Sequence, residues 1–311
     1  MHFAPIALFV FKRPAETLQT LEHLALNPGF AESELFVFCD AARNPAEEEA
    51  VRMTRKVVYS RTWNARTKVI ERQQNMGLAR SIIAGVTQLA ESHGRVIVFE
   101  DDLLAARGTL RYFNEALERY KHDDQVMQIS AHTFSIPDLG IPTGSFFLPL
   151  TTSWGWATWD RAWKHFDIKT PGWERLALDP DLRYRFNMDG SYYYAEMLEK
   201  QHAGKVDSWA VCWRWNMFQR QGLTLYPSRT LIKNIGFGNA ATHTKESSKW
   251  LGSPDWQEDH EVLSFPDLVK ADEICWRKTK GVFWKAKYPS LPVRIFSRIK
   301  RMFYQPFVAK H

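Results

Sequence analysis

The chain has 311 residues, 45% hydrophobic and 24% charged, which allows one large domain or two modest ones with an ample core and excludes disorder over most of its length. No Asp or Glu follows Glu273, and residues 274–311 hold ten of the 41 Lys and Arg, so the formal +6 belongs to the tail; the remainder carries 31 basic against 35 acidic residues, a net of −4. Cys39, Cys212 and Cys275 are widely spaced with no CxxC pair, which excludes a disulfide framework or zinc-cysteine site, and no run approaches the roughly 18 apolar residues that span a bilayer.

The apolar run from Phe3 to Phe11 contains Pro5, lacks a basic leader and runs into Lys12-Arg13-Pro14, so it reads as a first strand, Ile6 to Phe11, rather than a signal peptide. Pro14 suits the first turn of a helix continued by Leu18, Leu21 and Leu24. Leu35 to Cys39 is a second strand ending in Asp40, Pro45 opens an acidic helix through Val51 and Val57, and Thr67 to Ile70 is a third strand. The turn Asn75-Met76-Gly77 leads into a helix over Leu78 to Ser92, whose Ile82, Ile83, Val86 and Leu89 share a face. This alternation predicts right-handed βαβ units and a mainly parallel sheet, an architecture that favours nucleotides. No GxGxxG follows the first strand and no GxxxxGK[ST] occurs, so phosphates must be neutralised without a glycine-rich loop. Gly236-Phe237-Gly238-Asn239-Ala240-Ala241 fits GxGxxA but lies outside any βαβ context.

The fourth strand, Val96 to Phe99, is β-branched or aromatic throughout, which predicts burial on both faces. Glu100, Asp101 and Asp102 follow at once, at the carboxyl end where open α/β sheets place ligand crevices. Three adjacent acids repel one another. Hard oxygen ligands in that number suit Mg2+ or Mn2+, which would in turn hold a phosphate. A single acid there would mean only that the chain leaves the core for water.

A helix from Thr109 to Tyr120 and a strand from Val126 to Ser130 come next. Ser153-Trp154-Gly155-Trp156-Ala157-Thr158-Trp159 places three Trp within six residues, too dense for a regular amphipathic element; it reads equally as a packed aromatic corner or a sugar-stacking platform. Ser191 to Gln201 is helical. A further helix starts with Asp207 or Ser208 as cap and runs to Arg220, and Leu223 to Tyr226 and Leu231 to Ile235 are short strands. Between Val293 and Tyr304, Ile295, Phe296, Ile299, Met302 and Phe303 gather on one side of a helix, with Arg294, Arg298 and Arg301 on the other. This predicts either a basic helix on an anionic membrane surface, over 282–307, or a helix packed on the domain with a solvated basic face.

In this order the pieces resemble GT-A fold glycosyltransferases, above all the N-acetylglucosaminyltransferase I type and its bacterial nucleotide-sugar transferase relatives, over about Ala4 to His243. The resemblance implies an α/β fold with a mainly parallel mixed sheet flanked by helices. It divides the chain into a nucleotide-sugar-binding half over 1–130, an acceptor-binding and catalytic half over 131–270, and a basic amphipathic tail over 271–311. It implies donor binding by Phe11, Arg13, Asp40, Glu100 and Asp101, with Asp40 on the uracil edge, Asp101 near the ribose and Glu100 near the donor sugar. Asp102 would hold Mn2+ or Mg2+, Trp154-Gly155-Trp156 would close on sugar and acceptor, and Asp207 would be the catalytic base. His243 lies where some GT-A enzymes place a histidine near the metal, and Ser208 stands where the family has a second Asp.

The implied reaction is metal-dependent, inverting transfer of a hexosyl or N-acetylhexosaminyl group from a nucleoside-diphosphate sugar, UDP-linked, to a glycan or lipid-linked acceptor. The implied setting is cytoplasmic and peripheral on the inner face of the cell membrane, with no nucleic-acid partner. The residues leave other readings open. A sugar nucleotidyltransferase should carry a glycine-rich loop where Phe11-Lys12-Arg13-Pro14 has none, a glycoside hydrolase would pair two carboxylates without a nucleotide, and a non-catalytic protein could bind membrane or nucleic acid through its tail.

Overall fold

A computed structural model describes residues 3–136, 139–141, 144–236 and 255–288. The first half alternates β1 (Ile6–Val10), α1 (Pro14–Ala25), β2 (Leu35–Cys39), α2 (Pro45–Val58), β3 (Thr67–Glu71), α3 (Leu78–His93) and β4 (Arg95–Glu100). Local chemistry sets these boundaries. Pro14 and Pro45 occupy first turns, where a missing N–H is harmless, and Asn44 caps α2 by accepting the Ala46 N–H at 3.1 Å. Gly94, at φ +74°, ends α3 in the left-handed conformation.

After the short β5 (Leu103–Ala105) come α4 (Thr109–Arg119), β6 (Val126–Ser130), β7 (Ser145–Leu148) and β8 (Trp156–Trp159). Helices α5 (Asp160–Trp163), α6 (Arg175–Leu178), α7 (Pro180–Phe186) and α8 (Tyr194–His202) lead to α9 (Trp209–Gln219), β9 (Leu223–Pro227), β10 (Ile232–Asn234) and α10 (Glu273–Lys287).

Eight strands form one mixed sheet in the order β3-β2-β1-β4-β8-β6-β9-β7, while β5 and β10 form a separate antiparallel pair. β3, β2, β1 and β4 pair in parallel, β6 and β9 pair in parallel, and β8 lies antiparallel between β4 and β6. It follows that β6 and β9 run in the same direction as β1, β2 and β4. Their carboxyl ends share one edge of the sheet. A helix that returns the chain to the next such strand must start at that edge, so α1, α3 and α9 begin there.

Both faces of the sheet are covered. Leu8, Val10, Ile97, Phe99 and Ala157 pack with Leu21 and Leu24 of α1 and with Phe113 and Leu117 of α4. On the other face Phe9, Phe38, Val96, Val98 and Trp156 pack with Ile82 and Val86 of α3 and with Trp209 and Trp213 of α9. This coverage explains the tryptophan-rich segment. The density of Trp over 153–159 argues against an amphipathic element, and Trp156–Trp159 is the central strand β8, buried throughout. A strand covered on both faces needs no polar side, and Trp156, 0% exposed, stacks on Trp209 with ring centroids 5.0 Å apart.

The helix α10 docks on the domain. Lys280 ion-pairs with Asp189, Lys287 Nζ donates to the carbonyls of Gly190 and Tyr192 at 3.1 and 3.2 Å, and the buried Phe283 meets Phe134 edge-on at 4.7 Å. The start of the expected amphipathic segment is therefore packed inward at Phe283, and residues 289–311 lie outside the described residues. Among the described residues no helix is long and apolar enough to cross a membrane.

Gly85 of α3 tests how tightly the covered face is packed. A Cβ there would lie 2.8 Å from the ring of Phe9 and 3.0 Å from that of Phe38, two rings stacked at 4.9 Å. Gly85→Ala gains about 1 kcal/mol of helix propensity but overpacks this contact by about 1–3 kcal/mol. Urea unfolding should show a net loss of about 1 kcal/mol. An unchanged or higher midpoint would mean that the two rings shift freely.

Candidate active site

A cavity of about 560 Å³, within the range of small-molecule sites, opens where the strand carboxyl ends meet. Phe11 and Arg13 enter it from the end of β1, Asp40 from β2, and Glu100, Asp101 and Asp102 from β4; Trp154 and Asp207 enter from the second half. Gly155 and Trp156 are not on its walls, and His243 lies outside the described residues. Trp156 is in the core for the reason given above. Gly155, at φ +60°, serves the backbone: a Cβ there would meet the Ile232 side chain at 2.8 Å.

The acid loop is tied to the β1–α1 turn. The Phe11 N–H donates to Asp101 Oδ2 at 3.0 Å, and the Thr20 hydroxyl donates to the Asp101 carbonyl at 3.0 Å. Arg13 ion-pairs with Asp102 and comes within 3.9 Å of Asp101. One guanidinium does not balance three carboxylates. Burial, reinforced by the charges of Asp102 and Asp101, lifts Glu100 well above the carboxylate range; burial and Asp102 lift Asp101 to about 7; burial lifts Asp102 even against Arg13. The chain closes over this pair at Ile235, whose N–H donates to the Asp102 carbonyl at 2.9 Å, and at Gly236, where any Cβ would collide with the Asp102 carboxylate.

The Asp40 carboxylate lines the cavity and also holds the chain around it. Its Oδ1 accepts the N–H groups of Ala41 and Met76, both at 2.9 Å, and its Oδ2 accepts the Gly77 N–H at 3.0 Å and Asn75 Nδ2 at 3.1 Å. A carboxylate has about four lone-pair sites, and these contacts engage both of its oxygens. Asp40 builds the cavity wall by holding the Asn75-Met76-Gly77 turn. Phe11 suits a base: its ring has Lys12 Nζ at 5.6 Å and Arg43 at 5.1 Å from its centroid, an aromatic plate flanked by cations.

Asp207 is exposed just ahead of α9. The cap is Ser208, whose Oγ accepts the Val211 N–H at 3.4 Å, so the Asp207 carboxylate is not engaged in capping. It faces the start of α3, since a Cβ at Gly77 would lie 3.8 Å from Asp207 Oδ2. Helix direction brings it to the carboxyl edge, although about a hundred residues separate it from the acid triplet.

Among the described residues no group of three or more His, Cys, Asp and Glu is arranged to hold a metal ion. The site fits a divalent cation in one way. Asp102 supplies a single carboxylate, and the negative charge that Arg13 leaves unbalanced favours a cation whose other ligands are phosphate and water, as is usual for Mg2+.

Sequence reasoning missed His132, which lines the cavity just past the end of β6. Its position at a strand's carboxyl end is the same signal that marked the three acids. Lys200 of α8, Tyr192 ahead of it and Asn234 at the end of β10 also line the cavity, at positions that no spacing rule marks.

No protein-family model and no curated protein matches the chain. Among solved structures, mouse xyloside xylosyltransferase 1 in its apo form is 14% identical, over 70% of this chain and 82% of its own, with a TM-score of 0.37. The galactosyltransferase LgtC, in complex with donor and acceptor sugar analogues, is 11% identical over 57% of this chain and 65% of its own, with a TM-score of 0.34. The glycosyltransferase GlyE of Streptococcus pneumoniae TIGR4 is 10% identical over 71% of this chain and 45% of its own, with a TM-score of 0.36. At these values the likeness assigns neither a residue nor an activity.

Burial holds the His132 imidazole down to about 3, so the folded chain keeps it neutral while the unfolded chain protonates it near its ordinary value of 6.5. Its folded pKa is depressed, so its stabilising contribution is complete above pH 6.5 and is lost as pH falls toward 3. The stability difference between the native chain and His132→Gln should therefore shrink by about 1 kcal/mol between about pH 7.5 and 5.5. A pH-independent difference in thermal or urea unfolding would mean that the ring is solvated.

Proposed function

We propose that the chain is a metal-dependent glycosyltransferase that moves a sugar from a nucleoside-diphosphate donor, UDP-linked, to a hydroxyl of a glycan or lipid-linked acceptor with inversion. The observation that carries this reading is the convergence of the strand-end acids, Arg13, Phe11 and the distant Asp207 on one cavity. A strand-end carboxylate cluster suits a nucleoside diphosphate with its counterion, and a separate carboxylate outside the capping network suits proton transfer.

In this reading the base stacks on Phe11, Arg13 turns its guanidinium to the diphosphate, and Asp102 with the donor phosphates holds Mn2+ or Mg2+. The bound cation would neutralise charge on the departing nucleoside diphosphate. Asp207 takes the proton of the acceptor hydroxyl as its oxygen bonds to the anomeric carbon and the bond from that carbon to the phosphate oxygen breaks. Glu100 and Asp101 line the donor end, and Trp154 offers an indole to a sugar face. Association with the inner membrane surface would rest on the basic residues after Lys287.

Asp207→Asn should retain UDP affinity in the presence of Mn2+ while sugar transfer, screened over UDP-sugars and acceptor glycans, falls by about 10²–10⁴-fold, the usual worth of a general base. Retained turnover would reject Asp207 as the base. Absence of Mn2+-dependent UDP binding to the native chain would reject the donor class.

A further inference from the structure

His132 is held in place by its own backbone. Ser130 Oγ donates to the His132 carbonyl at 2.5 Å, and the His132 N–H donates to Ser130 Oγ at 3.1 Å. The ring is 1% exposed, packed against Trp154 at 4.7 Å and edge-on to Phe134 at 5.3 Å. Its Nδ1 lies 3.3 Å from Thr230 Oγ1. That hydroxyl has one proton, which it donates to the Ile232 carbonyl at 2.9 Å, and it also accepts the Ile232 N–H at 3.2 Å. Toward His132 it can act only as an acceptor. The proton of the neutral ring is therefore on Nδ1, and Nε2 carries a bare lone pair.

Among the described residues Nε2 has no hydrogen-bond partner. A buried acceptor left unpaired is unfavourable, and in native proteins it is the exception. His132 also lines the cavity, as Trp154 does. Two features then coincide at one place: an indole suited to the apolar face of a sugar and a fixed acceptor suited to a hydroxyl.

Building on the glycosyltransferase reading, we infer that His132 is a specificity-determining residue, whose Nε2 accepts a hydrogen bond from a sugar hydroxyl of the bound substrate. The imidazole takes no proton in this role. It discriminates among sugars by rewarding a hydroxyl at one position and leaving its lone pair unpaired when that hydroxyl is missing or turned away. The hydroxyl belongs either to the donor sugar or to the acceptor glycan, and the chemistry of recognition is the same.

Two substitutions separate this role from a structural one. Gln places its amide oxygen near the position of Nε2, whereas Asn reaches only the position of Nδ1 and so can keep the contact with Thr230. The donor arm is calorimetric titration of the full chain with UDP, UDP-glucose, UDP-galactose and UDP-N-acetylglucosamine in Mn2+. The acceptor arm is binding of the UDP-loaded chain to a printed glycan array. UDP affinity should stay within about twofold in both variants, which also reports that they fold. In one of the two arms His132→Asn should weaken the best sugar ligand roughly tenfold and His132→Gln should hold it within about threefold. The arm that responds identifies the hydroxyl. Equal affinities in both arms, as a water on Nε2 would give, overturn the inference, and so does a loss confined to His132→Gln, which would assign the ring to Thr230 alone. Failure of the native chain to bind UDP or any UDP-sugar overturns the glycosyltransferase reading, and this inference with it.

Discussion

Glu100, Asp101 and Asp102 leave a buried apolar strand side by side at the cavity, and their mutual repulsion is the constraint around which the site is built. Among the described residues Arg13 brings a positive charge directly against them, and it engages Asp102 most closely. The backbone contributes the rest: the Phe11 N–H steadies Asp101, and the Ile235 N–H and the bare Gly236 close over Asp102. A conformation that crowds charge in this way is stable only because the apolar strand beneath it cannot move, being packed by Leu21, Phe113, Ile82 and Trp213 from its two sides.

Strand direction then determines what joins the acids. Because β8 runs antiparallel between β4 and β6, the two strands beside it are parallel, and the end of β6 delivers His132 to the edge where β4 delivers Asp102. Helix α9 starts at the same edge and brings Asp207. The sheet thus gathers groups that lie far apart in the chain, and each arrives on an element already fixed by packing on both faces.

The elements most legible in the sequence were those with a local cause. Pure apolar runs marked β1, β2 and β4, Pro14 and Pro45 marked helix starts, and the acids at the end of β4 marked the crevice. Other features depend on neighbours that a sequence does not show. Trp156 reads equally as a packed or a sugar-stacking aromatic until both faces of β8 are seen to be covered. Asp40 is legible as a strand-end acid, but its four N–H partners, from Ala41 and the 75–77 turn, are not. His132 shares the strand-end position of the acids, but its lone pair is defined by Thr230, about a hundred residues on, and by the way Thr230 disposes of its only proton.

The tail helix shows how far composition can mislead about independence. Its charge sets it apart from the rest of the chain, yet Phe283 both anchors α10 against Phe134 and Tyr192 and forms part of the cavity wall. Docking of the tail and occupancy of that end of the cavity therefore share one free energy. By thermodynamic reciprocity, whatever tightens α10 on the 188–194 segment tightens a ligand resting on Phe283 by the same factor, and the ligand holds the helix down in return. A chain cut ahead of Glu273 is not a shorter version of the same binding protein, because it lacks a wall.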